Sequence, residues 1–570
     1  MLADGRVREE AYYGALARVL GLPFLSQIDP ATISDRPGID SQLKVPRMLR
    51  CHLPDRAPAI AIVPSARELM DPDAQIRVRA GLRERVVVTC PSAIRKAVWD
   101  KGADRRVDEA ANRLFDTMPQ YSARIVFSGM QGFLAGSCVA LLVIALLLLP
   151  ALSIFTVHIV LSSLYLLALV VRGFAAHFGP HLARLEPLVE DHPFPVYTVL
   201  VALYHERAIV GQLVDRLGRL NWPRSRLDIK LICEASDPET IEALQALDLG
   251  PEYEIVIVPD AMPRTKPKAL NYGLAGARGR LVAIYDAEDR PHPDQLREAW
   301  QRFRHAPSDV ACLQAPLHIS NARQSWLSAL FALEYAVLFR RLLPLIGHLH
   351  LPMPLGGTSN HFRIEALRKA GAWDAYNVTE DADLGLRLHR LGYRAEMIGR
   401  PTIEDAPTDM RVWFGQRSRW LKGWMQTWLV LMRDPARLAR ELGPAGSLVF
   451  HVLISGMLIS ALGHPLIILF LTISVCNLFV SASTTPVEQL LFVVDGINTA
   501  GSYMLFAITG RRAMTRDERR SVGFKWRAIP LYWLMISQAA WQALVELHTR
   551  PFFWKKTPHV PSVAEDKSEG

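Results

Sequence analysis

Residues 281–289 read Leu-Val-Ala-Ile-Tyr-Asp-Ala-Glu-Asp, five largely apolar positions that end at three carboxylates. A short, apolar run of this kind reads as a strand. Similar runs precede it at Val196–Leu203, Asp228–Cys233 and Tyr253–Val258, with helical stretches between them at Ala208–Leu220, Glu239–Leu247 and Lys268–Ala277. Alternating strands and helices predict a mostly parallel, doubly wound α/β sheet. Ligands of such sheets bind beyond the carboxyl ends of the strands. Acids stand there three times: in Tyr204-His205-Glu206, in Glu234-Ala235-Ser236-Asp237 and in Asp286-Ala287-Glu288-Asp289. One acidic strand end is ordinarily a helix cap or a solvated loop. Three on one edge predict a polar pocket that also holds a cation. Asp286 and Glu288, two apart in an extended loop, suit a hard divalent ion, Mg2+ or Mn2+, whose shell a phosphate completes.

Outside this segment the apolar residues are unevenly spread. No Asp, Glu, Lys or Arg occurs from Ile125 to Val171 or from Leu442 to Val487. A spanning helix needs ~20 apolar residues, and these runs are longer than a globular core helix requires. The predicted plan is a soluble α/β domain at 1–120 and two transmembrane helices at 125–172, turning near Pro150-Ala151. The charged α/β segment follows at 190–435, then transmembrane and interfacial helices at 442–548 and a tail at 549–570. Within 1–120, Glu9–Leu20 reads as a helix, and Ile60–Val63 and Arg85–Thr89 as strands. The apolar tail divides at 442–487, 489–510 and 529–548. Two spans and one interfacial helix near 445–462 are expected there, with His464-Pro465 as the break. Trp326–Ile346, apolar with few charges, is expected on the membrane face.

The net charge of +9 lies beside the apolar runs, at Arg105, Arg106, Arg113, Arg124 and Arg172 and again at Arg511, Arg512, Arg516, Arg519, Arg520, Lys525 and Arg527. That pattern points to anionic membrane lipids as partner rather than nucleic acid, and to a basic loop at 511–527 on the cytoplasmic side. Six scattered cysteines fit a reduced compartment and show no zinc spacing. The polar first ten residues show no cleavable signal peptide.

Five motifs in order, spread over about 240 residues, carry a resemblance: Tyr204-His205-Glu206, Glu234 to Asp237, Asp286-x-Glu288, Thr379-Glu380-Asp381 and Gln416-Arg417-Ser418-Arg419-Trp420. Segment 190–435 resembles the catalytic domain of family 2 glycosyltransferases, the GT-A fold of cellulose, chitin and hyaluronan synthases. Lys266-Pro267-Lys268-Ala269-Leu270-Asn271 matches a family stretch beside the donor. Two departures keep a carboxylate: Glu288 replaces the second Asp of the metal motif, and Glu234 with Asp237 replaces an adjacent Asp pair. The resemblance implies an inverting, metal-dependent transferase using a nucleotide sugar such as UDP-glucose. Its donor would contact Tyr204, Glu206, Glu234, Asp237, Lys268 and Asp286, and Asp286 and Glu288 would hold the metal. Asp381 would be the base that takes the acceptor proton, a function typically worth ~10²–10⁴-fold in rate. Glu380, Gln416, Arg419 and Trp420 would meet the acceptor or product.

Each motif also has a plain structural reading. Thr379 to Asp381 reads as a helix start capped by Thr379, and Trp413, Trp420, Trp424 and Trp428 read as an interfacial aromatic belt. The loop Leu355-Gly356-Gly357-Thr358-Ser359-Asn360 stands where a family loop touches the acceptor, and glycine there permits close backbone approach. His451, His464, Gln538 and Gln542, polar within apolar helices, are candidates to line a channel.

Ala11–Ala17 followed by Leu20–Phe24 is similar to the amino-terminal domain of type II secretion ATPases, some relatives of which bind cyclic di-GMP. Pro551–Thr557 resembles a mobile gating segment of polysaccharide synthases only loosely and reads better as a juxtamembrane aromatic and basic anchor. The leading expectation is a multi-pass enzyme of the bacterial inner membrane. It would extend a β-linked polysaccharide on the cytoplasmic side and pass it outward, with other export components as possible partners. The alternatives are transfer of one sugar to a lipid-linked acceptor, or a secretion scaffold that keeps a transferase fold.

Overall fold

The computed structural model describes residues 5–52, 57–65, 85–178, 187–188, 193–480 and 485–553. Of the Pro551–Thr557 segment, Trp554–Thr557 lie outside the described residues. The chain divides into two compact units. One comprises Met1–Arg113, Asp191–Gly211 and Trp222–Ala287; the other comprises Leu114–Glu190, Gln212–Asn221 and Glu288–Gly570. The α/β segment expected at 190–435 is therefore shared at Ala287/Glu288, and the amino-terminal residues cluster with its first half.

In the first unit, the helix Glu9–Leu20 precedes four short strands, β1 (Phe24–Leu25), β2 (Met48–Cys51), β3 (Ala59–Ile62) and β4 (Val86–Thr89), in the sheet order β1-β4-β3-β2. The helices Pro91–Lys101 and Ala103–Thr117 follow. The main sheet of this unit contains β5 (Tyr197–Leu203), β6 (Leu227–Glu234), β7 (Tyr253–Val258) and β8 (Leu281–Tyr285). These four pair in parallel in the order β8-β5-β6-β7, so their carboxyl ends share one edge. β6 and β8 are buried along their whole length, the mark of parallel strands covered on both faces. The helix Pro238–Gln245 starts on Asp237, whose carboxylate accepts from the Thr240 N–H, with proline at the first helical position.

The second unit contributes β9 (Arg290–Pro291), β10 (Val310–Gln314), β11 (Leu317–Ile319), β12 (Asn360–Arg363), β13 (Arg394–Met397) and β14 (Thr402–Glu404). β10 pairs antiparallel with β12 and parallel with β13, while β11, β14 and β9 form a small separate sheet. The mostly parallel sheet predicted from the sequence thus becomes mixed here. Trp326–Val337, expected on the membrane face, is instead nearly all buried within this unit. A helix apolar on every side suits a core better than an interface.

Four helices among the described residues are long and apolar enough to cross a membrane: Gly129–Leu148, Pro150–Phe174, Pro435–Asn477 and Pro486–Ala513. The first begins on a Ser128/Gln131 capping box, and Leu149 separates it from the second. In the third the expected break at His464-Pro465 is absent: Gly456–Val480 runs helically through Pro465. The kink lies earlier, at Gly443, with φ 68° and ψ 176°, followed by Pro444. Only glycine takes that backbone without strain, whereas proline inside an apolar helix is tolerated when its neighbours re-satisfy the freed carbonyl. At ~1.5 Å per residue the 43-residue stretch is about twice the bilayer core of ~30 Å, so its first turns have length to spare for the interface. His464 accepts or donates at the Tyr503 hydroxyl, 2.8 Å away, and is buried, while His451, Gln538 and Gln542 are exposed on their helices.

Candidate active site

The first unit carries the acids that close or follow β5, β6 and β8. Glu206 and Asp237 are buried, and their loops are tied together: the Glu206 N–H donates to Thr240 Oγ1 at 2.9 Å, and the His205 N–H donates to Asp237 Oδ2 at 2.5 Å. That second bond holds His205 at φ 54°, a left-handed backbone that non-glycine residues rarely adopt outside functional loops. The Tyr204 ring lies against the His205 ring, with centroids 4.1 Å apart. Glu234, expected just beyond its strand, is the last residue of β6 and pairs with Lys268 Nζ at 3.1 Å. Burial pushes its carboxyl above the usual carboxylate range, and the Lys268 ammonium opposes this. Lys268 itself is fully buried and also donates to the Ala261 carbonyl at 2.7 Å. Asp286 is engaged by the Lys266 ammonium. Lys266 was legible only as part of the quoted 266–271 stretch; the structure singles it out as the cation on Asp286.

Glu288 begins the second unit, and its carbonyl accepts from Arg216 Nη1 at 2.9 Å. In the same unit Glu380 and Asp381 open the helix Glu380–Arg390, with Glu380 buried and Asp381 half-buried. Thr379 precedes that helix but makes no side-chain cap; its N–H and hydroxyl turn to Asn377 Oδ1 instead. Gly357 lies beside the base candidate: a Cβ built there would stand 3.4 Å from Asp381 Oδ2. The loop around it is braced by Gln314, which accepts from the Gly356 N–H at 2.8 Å, and by Asn360, which donates to the Gly356 carbonyl at 2.6 Å.

Gln416, Arg419 and Trp420 lie at helical spacing on Met410–Leu431. This helix packs directly on the Thr379 segment. The Val378 N–H donates to Gln426 Oε1 at 3.1 Å, and a Cβ on Gly423 would come within 2.5 Å of Thr379. The two motif segments are thus neighbours. The Gln416 amide oxygen is buried and accepts no hydrogen bond among the described residues, an arrangement that costs ~1–3 kcal/mol unless a ligand or water meets it.

Sequence reading passed over Arg417, which lies inside the quoted motif. It is buried, forks onto both Glu334 oxygens at 2.6 Å each, and donates to the Tyr532 hydroxyl at 2.8 Å. Its guanidinium also lies 4.9 Å from the Trp420 ring centre and 4.7 Å from that of Phe331. Bidentate arginine combined with ring stacking gives a rigid support for the indole.

Among the described residues no group of three His, Cys, Asp or Glu side chains gathers as a metal site. Asp286, just beyond β8, offers a carboxylate oxygen of the kind a hard divalent ion takes, with phosphate and water completing its shell. The donor set fits Mg2+ or Mn2+, which are held by one or two carboxylates plus substrate phosphates. The pairing of Asp286 with an ammonium shows that its carboxylate already serves a cation.

Residues 198–363 match the glycosyl transferase family 2 model, and residues 281–484 match the glycosyl transferase family group 2 model. The beta-monoglucosyldiacylglycerol synthase of Synechocystis sp. is 27% identical over 242 residues, covering 42% of this chain and 49% of that protein. Glucomannan 4-beta-mannosyltransferase 2 of Arabidopsis thaliana is 25% identical over 256 residues, covering 42% and 47%. The chain spans about half the length of the curated relatives it matches. A solved structure, the mannosyltransferase PcManGT from Pyrobaculum calidifontis in complex with GDP-Man and Mn2+, aligns with a TM-score of 0.43 at 18% identity, over 69% of this chain and 98% of that one. With the five motifs inside the matched span, residues 198–484 carry the glycosyl transferase family 2 domains of this chain.

Proposed function

We propose that this protein transfers a hexose from a nucleotide sugar, of the UDP-glucose kind, to the growing end of a β-linked polysaccharide. The transfer would invert the anomeric centre and take place at the cytoplasmic face of the bacterial inner membrane, with the product passing outward through the protein's own membrane helices. The observation that carries the reading is the set of acids closing the adjacent parallel strands β5, β6 and β8, inside a span matched by family 2 glycosyltransferase models. In this reading Tyr204, Glu206, Glu234, Asp237 and Lys268 form and brace the nucleotide pocket. Asp286 and Glu288 hold the divalent ion, which when bound supplies positive charge against the departing diphosphate. Asp381 takes the proton of the attacking hydroxyl. Glu380, Gln416, Arg419 and Trp420 receive the acceptor, with the Trp420 ring as the face on which a sugar stacks.

A second reading is supported by the relatives. One group is named for glycolipid synthesis and another for glucomannan synthesis, so a single hexose transferred to a lipid acceptor is the alternative. Purified full-length protein, incubated with labelled UDP-glucose, UDP-GlcNAc and GDP-mannose and followed by product sizing, separates the two. For the polymer reading, Trp420→Ala is expected to shorten the product and lower its yield sharply while donor hydrolysis without acceptor persists. Full-length product from that variant, or a single-sugar lipid adduct from the unaltered protein, would transfer the proposal to the lipid acceptor.

The topology is tested separately. Arg340 pairs through both guanidinium nitrogens with Glu518, which ties the basic loop 511–527 to the buried helix segment that follows Trp326. That loop is therefore expected on the cytoplasmic side. Arg520, 78% exposed, is a suitable reporter. An Arg520→Cys variant should resist an impermeant maleimide in intact cells and react after permeabilisation. Reaction in intact cells would reverse the arrangement.

A further inference from the structure

We propose that the amino-terminal segment is a working part of the donor site. Trp99 positions the helix Lys266–Ala275 and, through it, the two lysines that pair with Asp286 and Glu234. This rests on the reading of those acids as the donor site.

The helix is gripped on two sides. Toward the sheet, Gly273 sits so near β6 that a Cβ there would be 2.3 Å from Ile232 Cδ1. On the other side Trp99, from the helix Pro91–Lys101, stacks on Tyr272 with centroids 5.1 Å apart and planes 28° apart. The same indole abuts Gly276, where a Cβ would stand 2.5 Å from Trp99 Cζ2. One turn away, Asn271 Nδ2 donates to the Ala110 carbonyl at 2.9 Å. The second half of the helix thus rests on amino-terminal residues at three successive points, while its first turn carries Lys266 and Lys268.

Trp99 is itself held in place. Its Nε1–H donates to Glu254 Oε1 at 3.0 Å, and the Arg106 guanidinium lies over its ring at 5.1 Å. Arg106 in turn donates to the Val98 and Trp99 carbonyls at 2.5 and 2.6 Å and pairs with Asp40 at 2.7 Å. A ten-residue helix of about 15 Å moves as one body, so a displacement at Tyr272 and Gly276 reaches the lysines at the other end. Lys268, fully buried with contacts of 3.1 and 2.7 Å, has little slack before both hydrogen bonds are lost. Trp99 is therefore a positioning residue, acting through Tyr272 and Gly276.

The test is isothermal titration of the purified full-length protein with UDP and with GDP, each in the presence of Mn2+. Trp99→Ala is expected to weaken the better-bound nucleotide about tenfold at unchanged stoichiometry, since both the ring stack and the Nε1–H bond go. Trp99→Phe keeps an aromatic face and should stay within about threefold. Gly276→Ala crowds the same contact from the opposite side and should weaken binding as Trp99→Ala does. It also decides the matter if Trp99→Ala fails to fold. A purely structural role would lower the melting temperature and the binding-competent fraction while Kd stayed constant, and that result in Trp99→Ala or Gly276→Ala would overturn the inference alone. An unaltered protein that bound neither nucleotide would overturn the donor-site reading, and this inference with it.

Discussion

Replacing Asp381 by asparagine is expected to cut turnover by at least about 10²-fold while nucleotide affinity stays near that of the unaltered protein, because in the proposed mechanism only the proton acceptor is lost. Asp381 is the second residue of the helix Glu380–Arg390, where the macrodipole favours negative charge. Its neighbour across the loop is Gly357, where a Cβ would stand 3.4 Å from Asp381 Oδ2. Asparagine keeps the shape and most of the hydrogen bonding, so the fold should tolerate it. Turnover of labelled donor, read beside nucleotide titration, separates the outcomes. A collapse in nucleotide affinity would assign Asp381 to the donor pocket and remove it as the base.

Asp286→Asn is expected to lower transfer by roughly 10²–10³-fold, the range found when one charge-stabilising group is removed from an active site. Asp286 follows the buried parallel strand β8 and already binds an ammonium, so the loss of its charge weakens the site for Lys266 and, in the proposed mechanism, for a divalent ion. Its side chain is 30% exposed, which leaves the core intact in the variant. Mn2+-dependent nucleotide binding should fall together with transfer. Full activity of Asp286→Asn, or undiminished activity of the unaltered protein in chelator, would take the metal out of the mechanism.

Much of the domain was legible in the chain. Tyr253–Val258 and Leu281–Tyr285 are strands over the residues the pattern predicts, and the other two runs differ only at their ends. The helix at Glu9–Leu20 and the pair of apolar helices parted near Pro150 were equally readable. The errors share a cause. An apolar run reports that a segment avoids water, not what it packs against, so Trp326–Val337 looked like a membrane-facing helix and is buried in protein. Proline likewise reports a missing N–H rather than a break. The helix continues through Pro465 and turns at Gly443, where a positive φ decides the matter.

By itself the sequence determined the order of strands and helices, the acids that close β5, β6 and β8, and the helices apolar enough to span a membrane. All of these depend on neighbours a few residues apart, through period, length and strand-end position. Only the tertiary structure decided the partners. Glu234 takes Lys268, 34 residues away. Arg417 takes Glu334 and Tyr532, 83 and 115 residues away. Trp99 stacks on Tyr272, in a different part of the chain. A buried charge must find an opposite charge or a hydrogen bond wherever the fold brings one within about 3 Å. That condition concerns distance in space, and no local pattern in the chain encodes it.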